Sequence, residues 1–418
     1  MNKLTNLPAK WSRVKLGDVT EDMMIGIVKS TKEQFNEKKG VAYIKMNNVT
    51  LEGNIDVNNV VNVEVAKDEL EKFSLKKGDI LFNTRNSYEL VGKTGIIKDD
   101  KSNRVYNNNL LRIRVKKEFD PDFINYQMNS YDFREKLKQG KRATTNICAI
   151  YQKDLFPISL MIPPLPDQQK IVAKIEELFS ELDSGIASLK KAKGQIKTYR
   201  QAVLASAFSG KLTRDYLNPI QVSYPISKAA EPEISYGKEL PEGWKWVKLG
   251  EIIKVSSGKG LTSDKMVTKG NYPVYGGNGI TGYYDNYLFK ESKLIIGRVG
   301  AKCGVVHITE SKSWVTDNAL VVEFISNNIN IKFLYHCLGY HNLNKLSVST
   351  AQPVISGAKI YPYLILLPPI NQQFDIVEEI EKRLSEADNL EKAIDESLAK
   401  AETLRQSILK QAFEGRLV

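Results

Sequence analysis

The chain has 418 residues, 42% hydrophobic and 26% charged, with a formal net charge of +11, a composition typical of a soluble globular protein with two or three domains. Its apolar runs, such as Tyr363 to Leu367, are much shorter than the ~20 residues of a membrane-spanning helix, and no apolar signal segment opens the chain, which predicts a cytoplasmic protein. Three widely spaced cysteines and three histidines predict neither a disulfide framework nor a metal site.

The positive charge is concentrated in two separate blocks. Residues 1–162 carry 28 Lys and Arg against 21 Asp and Glu, residues 240–367 carry 14 against 8, and residues 368–418 are acidic with 7 against 11. Two basic blocks favour a polyanion that is contacted at two places. The alternative is that the excess of lysine only keeps the protein soluble, and the charge distribution alone does not choose between them.

Residues 1–162 are predicted to form a mixed α/β domain, because short apolar strands alternate with loops rich in Gly and Asn. One apolar strand begins near Lys77 and ends in Arg85 at a loop edge. Arg can bind guanine through two hydrogen bonds, Asn and Gln can bind adenine in the same way, and Lys, Ser and Thr suit phosphates. The alternative for each such residue is a solvated loop or a turn. The candidate nucleic-acid contacts in this block are Asn83, Arg85, Asn86, Lys93, Lys141, Arg142, Thr144 and Thr145.

Residues 163–213 are predicted to form a long helix that packs against another helix. From Ile171 onwards, apolar residues recur at alternating steps of four and three, which is the spacing of a heptad repeat. A group of prolines beginning at Pro163 separates this helix from the preceding domain, and Gly210 suits its C-terminal end. The predicted contact positions are Ile171, Ile175, Leu178, Leu182, Leu189 and Ile196.

The next two segments are predicted to be a linker and a second domain. Residues 214–239 contain three prolines and no periodicity, which is typical of a linker. Residues 240–367 again combine short strands with polar loops, and Arg298 follows an apolar strand as Arg85 does. The candidate nucleic-acid contacts in this second domain are Lys259, Tyr275, Asn278, Arg298, Lys302, Ser349, Thr350 and Gln352.

An internal repeat relates the two halves of the chain. Residues 163–213 align with residues 368–418 without a gap, and 18 of the 51 positions are identical, where ordinary amino-acid usage gives about three. A second match joins residues 7–17 to residues 240–250, and the spacing between the two matches is 28 residues shorter in the second copy. The chain is therefore two copies of one unit, each a basic globular part followed by a helix.

Residues 368–418 keep the heptad spacing, which predicts a second long helix. The two helical segments carry net charges of +3 and −4, which favours packing of the helices on each other over packing of each helix on its own domain alone. Chain direction then predicts an antiparallel pair, with one domain at each end and an approximate twofold axis between them. The predicted contact positions in the second helix are Ile376, Ile380, Leu390, Ile394, Leu404 and Ile408.

Several motifs in this arrangement resemble the specificity (S) subunit of type I restriction-modification enzymes. They are Leu240-Pro241-Glu242-Gly243-Trp244 followed by Val247-Lys248-Leu249-Gly250, the sequence PPLPDQQKIV from Pro163 to Val172, and the duplicated Ala-Phe-x-Gly at the helix ends. The resemblance covers the whole chain. It implies an α+β fold with two tandem target-recognition domains separated by two long helices in an antiparallel coiled coil.

The resemblance also implies partners and a division of labour. Each domain would read one half of a bipartite, asymmetric site in double-stranded DNA, and two modification (methyltransferase) subunits and restriction subunits would join the chain. S-adenosylmethionine would bind the modification subunits and ATP the restriction subunits, so that no cofactor binds this chain.

The motif content of the sequence agrees with a subunit that performs no chemistry itself. The sequence contains no Asn/Asp-Pro-Pro-Tyr/Phe tetrapeptide of an amino-methyltransferase and no Gly-x-x-x-x-Gly-Lys-Ser/Thr phosphate-binding loop, and no nucleophile and base are evident. We therefore expect a non-catalytic protein. Two alternatives stay open, namely a nuclease or methyltransferase in its own right and a coiled-coil scaffold that does not bind DNA.

Overall fold

The computed structural model consists of two compact units, residues 1–189 with 395–418 and residues 190–394. Each unit contains small sheets, short helices and part of each of two long helices, so the predicted mixed α/β architecture with two long helices is confirmed. The predicted linker, residues 214–239, lies outside the described residues. The structure describes residues 10–37, 39–101, 103–144, 147–212, 240–300, 302–347 and 353–418.

The first unit begins with a globular part built from thirteen strands and five short helices in the described ranges. The strands are β1 (Ser12–Lys15), β2 (Thr20–Ile25), β3 (Gln34–Phe35), β4 (Val41–Ile44), β5 (Val61–Val63), β6 (Ile80–Asn83), β7 (Arg85–Asn86), β8 (Thr94–Ile96), β9 (Arg104–Tyr106), β10 (Leu110–Val115), β11 (Arg142–Ala143), β12 (Cys148–Ala149) and β13 (Ser159–Ile162). The helices are α1 (Leu16–Val19), α2 (Lys67–Phe73), α3 (Pro121–Met128), α4 (Tyr131–Lys138) and α5 (Gln152–Leu155). The first long helix, α6 (Leu165–Phe208), follows directly.

The second unit repeats this order with fewer elements. Its strands are β14 (Lys245–Lys248), β15 (Ile253–Ser257), β16 (Tyr272–Gly276), β17 (Gly279–Tyr284), β18 (Leu294–Gly297), β19 (Val306–Ile308), β20 (Trp314–Val315), β21 (Ala319–Phe324) and β22 (Leu364–Leu367). Its helices are α7 (Leu249–Ile252), α8 (Ile331–His341) and α9 (Gly357–Ile360), and the second long helix is α10 (Ile370–Phe413). Among the described residues, no helix is long and apolar enough to cross a membrane.

The sheets show that the globular parts are duplicated as well as the helices. The first unit has a four-stranded sheet in the order β2-β10-β6-β8, and the second unit has the matching order β15-β21-β18-β19. A parallel pair lies beside each sheet, β4 with β9 in the first unit and β16 with β20 in the second. The first and last strands of each globular part also pair, β1 with β13 and β14 with β22. Sequence similarity detected only the ends of this repeat.

The first unit contains an additional segment within residues 45–79, between β4 and β6, a stretch about twice as long as the corresponding residues 277–293 of the second unit. Helix α2 lies in this segment, and two arginines of β10 bind the C-terminal end of α2. Arg112 donates to the carbonyl oxygens of Lys72 and Ser74, and Arg114 donates to that of Ser74 and to the Asp79 carboxylate. The carbonyl end of a helix is negative, so guanidinium groups stabilise it.

Each globular part packs against both long helices. In the first unit, Phe82 and Phe123 share one core with Ile175 of α6 and Ile408 of α10. In the second unit, the corresponding core joins Phe333 to Phe208 of α6 and to Ile376 and Ile380 of α10. The helices therefore pack on each other and on the globular parts at the same time, which combines the two arrangements that the sequence left open.

Ion pairs show that the long helices are antiparallel in the second unit, and the equivalent of one of these pairs recurs in the first unit. In the second unit, Lys193 pairs with Glu391, and Arg200, farther along α6, pairs with Asp388, which comes earlier in α10. In the first unit, Arg405 pairs with Asp183 and lies 4.4 Å above the Phe179 ring. The repeat equates Asp183 with Asp388 and Arg200 with Arg405, so the same Arg–Asp pair forms in each unit with the helices exchanged.

Most of the predicted contact positions on the helices are buried or partly buried, and two are not. Ile171, Ile175, Ile196, Ile376, Ile380, Ile394 and Ile408 are buried, and Leu178, Leu182 and Leu189 are partly buried. Leu390 and Leu404 are instead 54% and 51% exposed, because the neighbouring Glu391 and Arg405 occupy the contact positions. These two leucines therefore do not lie between the helices, because a search for apolar spacing passes over the ion-paired residues that do. A contact of the two leucines with a partner subunit stays a prediction.

A buried glutamine joins each long helix to its globular part. Gln168 Oε1 accepts a hydrogen bond of 2.8 Å from the Asp120 backbone N–H, and its Nε2 donates to the Pro163 carbonyl at 2.9 Å. Gln373 accepts from the Asn330 backbone N–H at 2.8 Å and donates to Pro368 at 3.0 Å. Asp120 and Asn330 are the N-terminal caps of α3 and α8. The same amide therefore aligns equivalent short helices with the long helices.

We predict that Gln168→Ala lowers the free energy of unfolding by about 2–5 kcal/mol, because the Asp120 N–H and the Pro163 carbonyl lose their partner in a buried place. Gln169→Ala is the matched control, since Gln169 is exposed on the same helical turn and Ala is the better helix former. Thermal unfolding followed by circular dichroism measures both. Equal midpoints for the two variants would contradict a structural role for Gln168.

Candidate nucleic-acid interface

The two units place corresponding loops at the ends of corresponding strands. In the second unit, the Arg298 N–H donates to the Asn318 carbonyl at 2.9 Å, and in the first unit the Thr84 N–H donates to the Asn109 carbonyl at 2.9 Å. We call these loops the loop cluster of each unit. The loop cluster comprises residues 26–29, 84–87, 107–109, 142–144 and 147–149 in the first unit, and residues 257–260, 276–279, 298–300, 302 and 316–318 in the second.

Thr84, rather than Arg85, is the structural counterpart of Arg298. The Ile150 N–H donates to the Thr84 carbonyl, and the Ile355 N–H donates to the Arg298 carbonyl, each at 2.9 Å. Arg85 comes one residue later, and successive side chains of an extended chain point to opposite sides. The two arginines that the sequence treated as equivalent therefore leave the backbone in different directions, although Arg85 is exposed as a contact residue requires.

A glycine in each loop cluster allows two backbone segments to approach closely. A Cβ atom on Gly26 would lie 2.2 Å from the Tyr106 carbonyl oxygen, and one on Gly258 would lie 2.3 Å from the Thr316 carbonyl oxygen. No other residue fits such a contact. Gly26 follows β2 and lies against the end of β9, and Gly258 follows β15 and lies against the end of β20. In each unit, this close approach holds the loops of the cluster next to one another.

Two candidate amides of the first unit are used inside the protein. The buried Asn83 donates to the Arg85 and Asn109 carbonyls at 3.1 Å, and its Oδ1 accepts from Asn86 Nδ2 at 2.8 Å. Asn86 Oδ1 accepts in turn from the Ser87 N–H. This network corrects the prediction for Asn83, which shapes the loop but presents no polar group outward. Asn86 is half-buried and lies in the cluster.

Lys93 and Tyr275 are also internal. The Lys93 ammonium donates to the carbonyls of Met46 at 3.0 Å and Val49 at 2.6 Å, and burial lowers its pKa. The Tyr275 hydroxyl accepts from the Glu310 N–H at 3.1 Å, and burial raises its pKa. The structure corrects both predictions, because the surrounding segments cover these side chains. The sequence around each one does not distinguish a buried polar group from an exposed one.

In the predicted basic loop of the first unit, β11 pairs with β12 in antiparallel orientation. Arg142 is exposed and its Nη2 donates to Asp154 Oδ1 at 3.2 Å, which raises the pKa of the guanidinium. The Lys141 ammonium lies 4.3 Å above the Tyr88 ring, and burial lowers its pKa. The Thr144 hydroxyl donates to the Ile147 carbonyl at 2.9 Å. Four other candidates lie outside the described residues: Thr145 of this loop, and Ser349, Thr350 and Gln352 of the second domain.

In the second unit, four candidates lie in the loop cluster with polar atoms near the surface. Lys259, Asn278 and Lys302 are exposed, and Asn278 lies in the two-residue turn between β16 and β17. Arg298 is half-buried, and its Nη1 donates to Ser257 Oγ at 3.2 Å and to the Asp317 carbonyl at 3.4 Å. These side chains can bind phosphates and base edges.

Sequence reasoning missed three residues of the loop clusters. The half-buried Asn108 and Asn109 have side-chain amides without a hydrogen-bond partner in the described part of the chain, and Ser257 holds Arg298. The run of three asparagines from Asn107 was a visible signal for the first two. No local pattern marks Ser257, because its role depends on the neighbouring strand. In the described ranges, no group of three or more His, Cys, Asp and Glu residues could hold a metal ion.

Comparison with known protein families identifies one family in both units. Residues 8–193 and 241–400 match the type I restriction modification DNA specificity domain. The chain is similar to the type I restriction enzyme StySPI specificity subunit of Salmonella potsdam, with 27% identity over 73% of this chain and 67% of that protein. It is also similar to the putative MjaX specificity subunit of Methanocaldococcus jannaschii, with 24% identity over 99% and 95% of the two chains.

Solved structures share the fold over nearly the whole chain. One, described as the "structural basis underlying complex assembly and conformational transition of the type I R-M system", has a TM-score of 0.74 at 20% identity and covers 98% of this chain and 99% of its own. The HsdS subunit from Thermoanaerobacter tengcongensis has a TM-score of 0.62 at 20% identity, with 99% of both chains covered. At these identities, the likeness concerns the fold alone.

We predict that Lys93→Met destabilises the protein, because the carbonyls of Met46 and Val49 lose a charged donor, with a cost of about 1–3 kcal/mol for each unsatisfied group. Lys259→Met is the matched control, since Lys259 is exposed in the other unit, and it leaves the unfolding temperature within about a degree. Differential scanning fluorimetry compares the two. A Lys93→Met variant that unfolds at the temperature of the unaltered protein would contradict the internal role that we assign to Lys93.

Proposed function

The chain belongs to the type I restriction modification DNA specificity family, and from this premise we propose that it is the DNA-recognition subunit of a type I restriction-modification complex. The match of the family to both units carries the proposal. The chain performs no chemistry itself and directs methylation or cleavage by partner subunits to a DNA site. The complex acts in the cytoplasm on double-stranded DNA.

Each unit reads one half of a bipartite DNA site, and the halves differ in sequence. The duplicated sheets support two equivalent recognition domains. The loop clusters differ in chemistry, because the position of Arg298 in the second unit is occupied by the buried Thr84 in the first. Different side chains at the same place select different base edges. An asymmetric site follows from this difference.

The long helices provide the docking surface for two modification subunits, and restriction subunits join that core. Large apolar side chains on the outside of the helices support this assignment. Phe374, Leu390 and Leu404 on α10 are between 51% and 59% exposed, and Tyr199 on α6 is also exposed. Such side chains on an otherwise charged helix pair are typical of a protein–protein contact. S-adenosylmethionine binds the modification subunits and ATP binds the restriction subunits.

We predict that replacing residues 240–367 with the corresponding part of a relative of different specificity changes one half of the recognised site and leaves the other half unchanged. The physical reason is that each loop cluster belongs to a separately packed core. Methylome sequencing of cells that express the chimera with its modification subunit returns both halves and the spacer. The matched control replaces residues 1–162 and should change the other half. A simultaneous change of both halves in either chimera would contradict independent recognition.

We also predict a strong salt dependence of duplex binding by the complex with its modification subunits. A complex that contacts 6–10 phosphates loses about 10³–10⁵ in affinity between 50 and 200 mM salt. Binding releases counterions from the DNA, and their release becomes less favourable as the salt concentration of the solution rises. Fluorescence anisotropy with a labelled duplex at a series of salt concentrations measures the slope. An affinity independent of salt would exclude phosphate contacts as the main attraction.

A further inference from the structure

The backbone of Arg298 is held on both sides, so the start of its side chain is fixed. Its N–H donates to the Asn318 carbonyl, and its carbonyl accepts from the Ile355 N–H, each at 2.9 Å. The preceding strand, β18, is the fully buried neighbour of β21 in the main sheet of the second unit. Arg298 therefore leaves the rigid part of the unit at a defined point of the loop cluster.

One end of the Arg298 guanidinium is anchored, and the other is free. Nη1 donates to Ser257 Oγ at 3.2 Å and to the Asp317 carbonyl at 3.4 Å. Ser257 Oγ itself donates to the same carbonyl at 3.4 Å. Nε and Nη2 have no hydrogen-bond partner among the described residues. These two donors form one edge of the planar guanidinium, and they are spaced for two parallel hydrogen bonds to one acceptor pair.

The charge of Arg298 is not neutralised by a carboxylate. Its contact with Asp317 is to the backbone carbonyl, and no ion pair involves Arg298 in the described part of the chain. Glycines line the neighbouring loops, so few side chains of the described part of the chain screen the guanidinium. A Cβ atom on Gly300 would meet no described atom within 4 Å, and one on Gly277 would lie 2.8 Å from the Asn318 carbonyl oxygen and 3.7 Å from the backbone nitrogen of Arg298. A large, flat ligand can therefore approach the free edge.

The anchored geometry suits a base edge better than a phosphate. A phosphate accepts hydrogen bonds from many directions, so a mobile lysine or arginine serves equally well. Guanine presents two acceptors, O6 and N7, in one plane in the major groove, and a guanidinium whose rotation is restrained meets both at once. The first unit has no equivalent of the Arg298 guanidinium. Thr84, which occupies that position, is buried, and its hydroxyl donates to the Asn109 carbonyl.

We propose that Arg298 recognises one guanine in the half-site read by the second unit, and that Ser257 is a positioning residue that restrains the guanidinium for this contact. The proposal rests on the DNA-recognition function proposed above. It assigns a specificity-determining residue to the second unit alone. It also predicts that the corresponding base of the other half-site is selected by different residues.

The test measures duplex binding by the full chain in complex with its modification subunit. Methylome sequencing first identifies the recognised site. Fluorescence anisotropy at one fixed salt concentration then compares the recognised duplex, duplexes with each single base-pair change in that half-site, and a random duplex. The variants are Arg298→Ala, Arg298→Lys, Ser257→Ala and Ser257→Thr. Arg85→Ala in the first unit is the control, and thermal unfolding checks that every variant is folded.

Arg298→Ala should weaken binding of the recognised duplex about 10- to 100-fold, change binding of the random duplex by less than about threefold, and abolish the preference at one G·C pair only. Arg298→Lys should restore affinity but not that preference, because a lysine makes no bidentate contact. Ser257→Ala should relax the same position to a smaller extent, and Ser257→Thr, which keeps the hydroxyl, should restore it. Arg85→Ala should leave the base preference in this half-site unchanged, because Arg85 belongs to the first unit.

Two results overturn the proposal. Equal losses on the recognised and the random duplex would make Arg298 a phosphate contact, and an unchanged base preference in Ser257→Ala would remove the positioning role. These results differ from a failure of the proposed function, in which the unaltered complex binds no duplex preferentially.

Discussion

The architecture depends on a buried amide at the start of each long helix. Gln168 and Gln373 each accept a hydrogen bond from the capping residue of a short helix and donate to the proline carbonyl that precedes the long helix. A buried amide without these partners is costly, so the two helices and the intervening strand end have one favourable arrangement. Because these two hydrogen bonds recur in both units, they fix how a globular part attaches to a helix, whatever loops that globular part carries.

The duplicated frame carries loops that are not duplicated. The main sheets have the same strand order and the same backbone hydrogen bonds at their ends, yet the first unit contains an additional segment held by Arg112 and Arg114, and the buried Thr84 occupies the position of the half-buried Arg298. Sheets tolerate little change because each side chain packs against several neighbours. Loops at strand ends lack this constraint, so two units with one fold can recognise different DNA sequences.

The contact between the long helices contains charges at positions where a coiled coil usually has apolar residues. Arg405 is buried against Phe179 and pairs with Asp183, and Arg200 pairs with Asp388 in the other unit. The carboxylates of both pairs are more than half exposed, so the pairs add little to stability, but a shift of one turn would leave an arginine without a partner. We infer that these pairs select the register of the two helices, as a polar residue does in other coiled coils.

The amino-acid sequence by itself determined the internal repeat, the two long helices, the two basic globular parts and the family, because periodicity, identity at a fixed offset and motif spacing are local properties of the chain. It also indicated exposed loop residues such as Arg85, Lys259 and Asn278. Only the tertiary structure decided that Lys93 is buried, that Arg405 rather than Leu404 lies between the helices, and that Ser257 holds Arg298. A heptad pattern is compatible with either of two adjacent rows of residues as the contact face of a helix. Consecutive residues of a strand point to opposite sides of the sheet. The choice between such alternatives depends on partners that are distant in sequence, so no local pattern contains it.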